Sequence, residues 1–215
     1  MYKVVLFDFD GTLLDSDQML VVTFQELYSL YSKDYHPSIE HMLTFSGPPI
    51  KDTLAKEFPH MDQDFMMKEY LARSTKNYDK YVKPFPYVKE MLLSLKDNNI
   101  KFGLITSKAK DATNYALKLT GLDGLFEFII CADEVKNVKP DPEGILLALK
   151  HFNVKDKSET IYIGDTMYDY LTARNANVPF GFVTFSPRKM EDGLKYDLTI
   201  DSFKNFVEVI KNEKH

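Results

Sequence analysis

The sequence predicts an α/β protein: a doubly wound parallel sheet with an all-helical unit inserted near its start. Three observations carry that expectation. Residues 3–9 hold a short apolar run, Val4, Val5, Leu6 and Phe7, that stops at two acids. Residues 16–81 show helical periodicity with no convincing strand, and from residue 84 onward short apolar strands alternate with helices. Such alternation implies parallel strands with helices packed on both faces.

The first run has the length and the β-branched, aromatic character of a strand buried on both faces. It ends at Asp8 and Asp10, and Gly11 lets the backbone turn sharply there. Alternation carries the two acids to the same side as the chain leaves the sheet. Burying ionised carboxylates is costly unless something cationic meets them, so this strand end implies a partner of opposite charge, and a metal ion is the obvious candidate. Asp10-Gly11 would also suit a hairpin turn, but residues 13–30 read as a helix and not as a returning strand. A calcium loop of the EF-hand type fails on register, because Gly11 at the glycine position would make Leu6 the first ligand.

In the helical block, Leu20, Phe24, Leu27, Tyr28 and Tyr31 recur at helical spacing, as do Leu54 and Phe58, then Phe65, Met66, Tyr70 and Leu71. These stripes are expected to be core. His36-Pro37, the stretch Ser46, Gly47, Pro48, Pro49, and Pro59 punctuate them. Pro84 and Pro86 make a stiff exit from the block.

Beyond that exit, helices are expected over residues 87–96, 109–119 and 143–152, then, after the stretch 164–169, to about residue 175, and over 202–211. Strands are expected over 101–106, 126–131, 160–163, 180–184 and 198–200. Thr120-Gly121 closes the second of those helices in the manner of a C-cap.

At 215 residues, 44% hydrophobic and 27% charged, the chain can bury a core and is too apolar for disorder. A net charge of −5 with no basic cluster argues against a nucleic-acid partner. The single cysteine, Cys131, excludes an internal disulfide and, beside Ile129 and Ile130, reads as a buried thiol. No apolar run approaches membrane-spanning length, and the first strand begins too near Met1 for a leader, so the expectation is a soluble cytoplasmic protein, monomer or homodimer.

In doubly wound sheets ligands bind outside the carboxyl ends of the strands. Asp8 and Asp10, Thr106 and Ser107, Lys139, and Gly164 with Asp165 all fall at or just after strand ends. Each has a plain structural explanation as well. Thr106 and Ser107 would serve as a helix cap, Lys139 as a solvated loop lysine, Gly164 and Asp165 as a turn, and Asp169 as surface charge. Taken together, their order matches the four motifs of the haloacid dehalogenase-like hydrolase superfamily, which the chain resembles over almost its whole length.

That resemblance implies a Rossmann-like catalytic core over residues 1–14 and 84–215 and a helical cap over residues 15–83. It implies Asp8 as the nucleophile that forms an aspartyl-phosphate, and Asp10 as the acid and base for the leaving group and the hydrolytic water. Thr106, with Ser107 beside it, would bind the phosphoryl oxygens, and Lys139 would supply positive charge. The cofactor implied is Mg²⁺, held by the Asp8 carboxylate, the Asp10 main-chain carbonyl and the Asp165 carboxylate, with Asp169 orienting a metal-bound water or Lys139.

In the cap loop, Gly47 would let the backbone approach an anion and Lys51 would pair with one; the loop is equally explained as a separator of two helices. Gly47, Pro48, Pro49 and Asp52, Thr53, Leu54, with residues 106–109 and 138–142, are similar to the bacterial phosphoglycolate phosphatase and pyrophosphatase branch. The β-phosphoglucomutase branch places a histidine early in the first cap helix, where Asp17 to Val21 offer none. The phosphonate-cleaving branch needs a cap lysine, and Lys33 and Lys51 stand in unmatched context. The expected activity is therefore Mg²⁺-dependent hydrolysis of a small phosphorylated metabolite, phosphoglycolate phosphatase-like. The alternatives, in order, are an inorganic pyrophosphatase, a phosphomutase and a non-catalytic phospho-ligand-binding module.

Overall fold

A computed structural model describes residues 2–188 and 190–212 of the chain. Six strands form one parallel sheet: β1 (Val4–Phe7), β4 (Lys101–Ile105), β5 (Phe128–Ile130), β6 (Thr160–Gly164), β7 (Phe180–Val183) and β8 (Leu198–Ile200). Their order is β5-β4-β1-β6-β7-β8, every pairing parallel. The order reverses at β1, which pairs Phe7 with Leu104 on one side and with Ile163 on the other.

The apolar run of β1 is continuous because both of its faces are covered. Val5 and Phe7 join one core cluster, closed by α5 (Val88–Asp97), α6 (Lys110–Thr120) and α9 (Phe206–Asn212). Val4 and Leu6 join another, closed by α7 (Glu143–His151) and α8 (Met167–Ala176). Alternate side chains of one strand thus face two different helical layers.

Between β1 and α5 the chain builds α1 (Asp17–Tyr31), α2 (Ile39–Leu43), α3 (Ile50–Glu57) and α4 (Gln63–Tyr81) around a third cluster. Phe24 is central to it, with ring centroids 4.6 Å from Phe45 and 5.8 Å from Tyr70. Asp62 caps α4 by accepting from the Phe65 amide at 2.8 Å. Phe65 and Leu71, which the periodicity assigned to the core, are instead 41% and 49% exposed. The long α4 carries more apolar residues than its one buried face can take, and Phe65 lies edge-on to Tyr31 near the surface.

The pattern also missed a two-stranded antiparallel ribbon, β2 (Leu14–Asp15) with β3 (Lys83–Pro84). Its first strand occupies residues that read as the start of a helix, whereas α1 begins only at Asp17, and its second falls in the proline-rich exit. Two-residue strands have no periodicity to read. Here the Leu13 and Leu14 amides both donate to the Phe9 carbonyl, at 2.9 Å each, which turns the chain back on itself before the helix starts. The closing helix likewise starts at Phe206, later than the pattern suggested.

Candidate active site

Asp8 continues the line of β1, its amide donating to the Ile163 carbonyl at 2.9 Å, so its carboxylate emerges where the strand order reverses. Lys139 reaches it from the loop before α7. The Lys139 Nζ donates to Asp8 Oδ1 at 2.5 Å and to Asp169 Oδ1 at 2.7 Å, and all three residues are buried. The Asp169 carboxylate is further held by the Tyr162 hydroxyl at 3.0 Å and by the Thr166 amide and hydroxyl at 3.1 and 2.5 Å. Thr166 caps α8 and accepts in return from the Asp169 amide. Gly164 makes this arrangement possible, since a Cβ there would lie 2.4 Å from the Asp169 Cβ.

Asp165, at the tip of β6, is fully buried. Its Oδ1 accepts from the Thr12 hydroxyl at 3.1 Å, and its Oδ2 from the Ser186 hydroxyl at 2.9 Å and from Arg188 Nη1 at 2.7 Å. Gly11, with φ +83°, passes so close that a Cβ would come 2.1 Å from Asp165 Oδ2. The Asp10 carboxylate turns the other way and meets Lys108 Nζ at 3.0 Å. Lys108 also sits 4.9 Å above the ring of Tyr78, from α4. The other oxygen, Asp10 Oδ1, is buried without a partner among the described residues.

Thr106 follows β4 and is buried, its hydroxyl accepting from the Lys108 amide at 3.1 Å. With Ser107, Asn137 and Lys139 it lines a small recess. Gly47 lies against the start of α8, where a Cβ would meet the Tyr168 ring at 3.2 Å and the Thr166 side chain at 3.4 Å. Lys51 is exposed in the first turn of α3. Cys131 is buried, and burial pushes its thiol up to about 11.

The electrostatics separate the acids. Burial, and then the charge of Asp169, push Asp8 well above the ordinary carboxylate value against the pull of Lys139. Burial pushes Asp165 up to about 6, opposed by Arg188. For Asp169 burial acts in the same direction, but Lys139, Thr166 and Tyr162 outweigh it and hold the carboxyl below its usual value. Burial pulls Lys139 down; the charges of Asp169 and Asp8 prevail and keep it protonated.

Carboxylate oxygens of Asp8, Asp165 and Asp169 lie within 4.8 Å of one another. Five carboxylates, on Asp8, Asp10, Asp17, Asp165 and Asp169, meet three cations, Lys108, Lys139 and Arg188, so with every group ionised two negative charges would be in excess. One divalent cation would balance them, and carboxylate oxygen suits a hard ion. The donor set therefore fits such a cation.

Sequence reasoning did not single out Thr12, Lys108, Tyr162, Ser186 or Arg188. Lys108 stands two residues after Thr106, and that spacing at a strand end was the one available signal. Tyr162 is hidden inside an apolar strand, and Ser186 and Arg188 lie in a loop with no pattern.

A family model for haloacid dehalogenase-like hydrolases matches residues 5–183. The chain belongs to that family. This haloacid dehalogenase-like hydrolase is similar to pyrophosphatase PpaX of Listeria monocytogenes, 30% identical over 213 residues that cover 98% of this chain and 97% of the relative. It is also similar to pyrophosphatase PpaX of Bacillus velezensis, 34% identical over 172 residues, 80% of this chain and 78% of the relative. A solved structure from Lactobacillus plantarum, provisionally named a phosphoglycolate phosphatase, superposes with a TM-score of 0.84. It is 24% identical, covers 97% of this chain and 99% of its own, and shows the fold. The hydrolase is an enzyme of the phosphatase type. None of its helices, among the described residues, is long and apolar enough to cross a membrane.

Proposed function

We propose that the enzyme hydrolyses a small phosphorylated metabolite through an aspartyl-phosphate on Asp8, in the manner of a phosphoglycolate phosphatase. The observation that carries this reading is the Lys139 ammonium shared between Asp8 and Asp169 at 2.5 and 2.7 Å, at the tip of a strand buried everywhere else. A buried lysine held charged by two acids is a fixed positive site beside a carboxylate, which is what in-line transfer of a phosphoryl group needs.

In this reading an Asp8 oxygen bonds to phosphorus as the bond to the leaving oxygen breaks, and Asp10 gives that oxygen its proton. Asp10 then takes a proton from the water that attacks phosphorus, which releases phosphate and frees Asp8. The unpartnered Asp10 Oδ1 is the atom available for both transfers. Thr106 and Ser107 would bind the phosphoryl oxygens, and Lys139 their developing charge. Asp8, Asp165 and the Asp10 carbonyl would hold Mg²⁺, and Asp169 would position Lys139. When bound, the cation supplies the charge that lets the anionic Asp8 approach an anionic phosphate.

The division proposed is a catalytic core over residues 1–14 and 84–215 and a cap over residues 15–83. The cap would exclude water and meet the leaving group. Tyr78 of α4 reaches Lys108 and Gly47 rests on α8, so both are proposed cap contacts with the closed site, and Lys51 a contact at its edge. Lys108 is neutralised by Asp10 until Asp10 is protonated. It would then be free for a leaving group that carries its own charge.

Phosphoglycolate fits that description. Pyrophosphate fits it too and forms a second reading, favoured by the names of the relatives. Phosphate release from 2-phosphoglycolate, pyrophosphate, glucose 1-phosphate and a nucleoside monophosphate, compared by kcat/KM with and without EDTA, tests both. The two charged leaving groups should lead, and EDTA should stop turnover. Phosphate retained on a rearranged sugar would indicate a mutase, and tight phosphate binding without turnover a binding module. Asp8→Asn should lower turnover on the order of 10³-fold or more while leaving the fold intact; substantial residual turnover would exclude Asp8 as the nucleophile.

A further inference from the structure

Arg188, in the loop between β7 and β8, is one of three cations in the pocket, and its position has a consequence the proposed reaction does not use. Its Nη1 lies 2.7 Å from Asp165 Oδ2 and 2.9 Å from the Ser186 hydroxyl, and its Nη2 bonds Asp17, the first residue of α1. Both partners are shielded: the side chains of Arg188 and Asp165 are 8% and 0% exposed. The backbone is shaped around this contact, since a Cβ on Gly11 would stand 2.6 Å from Arg188 Nη1 as well as 2.1 Å from Asp165 Oδ2. Yet the guanidinium is not locked on its remaining side. Its Nε is buried with no partner among the described residues, so its place is set by Asp165, Asp17 and Ser186 alone.

A charged group within 3 Å of a carboxylate competes with any other cation for that carboxylate. Because Arg188 is anchored from behind by Asp17, it can give up Asp165 without leaving its place in the fold.

We propose that Arg188 is a positioning residue that stands in for the divalent cation. In the metal-free enzyme it neutralises Asp165, and when the cation binds it yields Asp165 and stays paired with Asp17. The inference rests on reading Asp165 as a cation ligand. Two consequences follow. Arg188 weakens cation binding, and it makes cation occupancy felt at the first residue of the helical unit, through the Asp17 contact.

The test is Mg²⁺ binding to the full-length, metal-free protein by titration calorimetry, together with the thermal midpoint measured with and without saturating Mg²⁺. Arg188→Ala should bind Mg²⁺ roughly tenfold tighter or more, because a repelling charge beside the ion is gone. Arg188→Lys, which keeps the charge, should stay within about threefold of the unsubstituted protein. Arg188→Ala should also lower the midpoint of the metal-free protein more than that of the Mg²⁺-saturated protein. A merely structural tie would cost the same in both states.

Asp17→Asn should weaken Mg²⁺ binding, and its effect should shrink in the Arg188→Ala background. If Arg188→Ala does not fold, Arg188→Gln takes its place with the same expectations. Unchanged or weaker Mg²⁺ binding by the neutral variants would overturn the proposal. Failure of the unsubstituted protein to bind Mg²⁺ at all would instead overturn the reading of Asp165 on which it rests.

Discussion

The tips of β1, β4 and β6 and the helical unit of residues 17–81 are held together by different forces. At the strand tips the organising contacts are buried ion pairs: Lys139 with Asp8 and Asp169, Lys108 with Asp10, Arg188 with Asp165. In the helical unit they are rings, with Phe24 between Phe45 and Tyr70, and Tyr28 5.0 Å from Phe58. A ring can exchange one apolar neighbour for another at modest cost, whereas a buried charge can give up its partner only when another charge takes that partner's place. Geometry at the strand tips is therefore all-or-none, and geometry in the helical unit is adjustable. Those are the properties wanted of the proposed reaction centre and of the proposed cap.

The sharpest way to break this contrast is Lys139→Met. It strands Asp8 and Asp169 together and should cost about 3–5 kcal/mol of stability at neutral pH and lower kcat by about 10²-fold or more. Urea unfolding and phosphate release measure the two effects, and a stability change within experimental error would show that the ion pairs do not hold the strand tips.

Phe24→Ala should cost about 3–5 kcal/mol in the helical unit. Hydrogen exchange should then show protection lost in α1 and α4 but kept in β1, β4 and β6. Uniform loss would mean that the two regions do not respond separately. Gly164→Ala should cost about 1–3 kcal/mol by overpacking against Asp169 and should raise the Mg²⁺ concentration needed for half-maximal turnover. Activity at unchanged Mg²⁺ demand would show that Asp169 tolerates displacement. The smallest effect is expected for Phe65→Ser: at 41% exposed, with its ring against Tyr31, it should cost about 1 kcal/mol, read from the same unfolding curves.

The same contrast explains what could be read from the residues alone. Asp8 and Asp165 announce themselves because an acid closing an apolar strand has few reasons to be there. The six-stranded parallel sheet follows from runs such as 4–7, whose apolar character is continuous because both sides are packed. Arg188 gives no such signal: it lies far along the chain from Asp17 and Asp165, and only the return of the β7–β8 loop over the sheet brings it to them. Phe65 and Leu71 misled for the opposite reason, since helical spacing records which residues share a face but not whether anything covers it. The β2–β3 ribbon left no trace because its two rungs are a matter of backbone meeting backbone.

That ribbon has a consequence for how the molecule could change over time. Asp15 and Lys83 sit opposite each other on it, so the chain departs for the helices and comes home at adjacent points. Between the first turns of α1 and the last turns of α4, most of the chain is a detour built on its own core cluster. Such a detour can be lengthened or trimmed in its middle, and the six strands and their charged tips would keep their paths so long as its two ends, with Asp17 and Tyr78, stay in place.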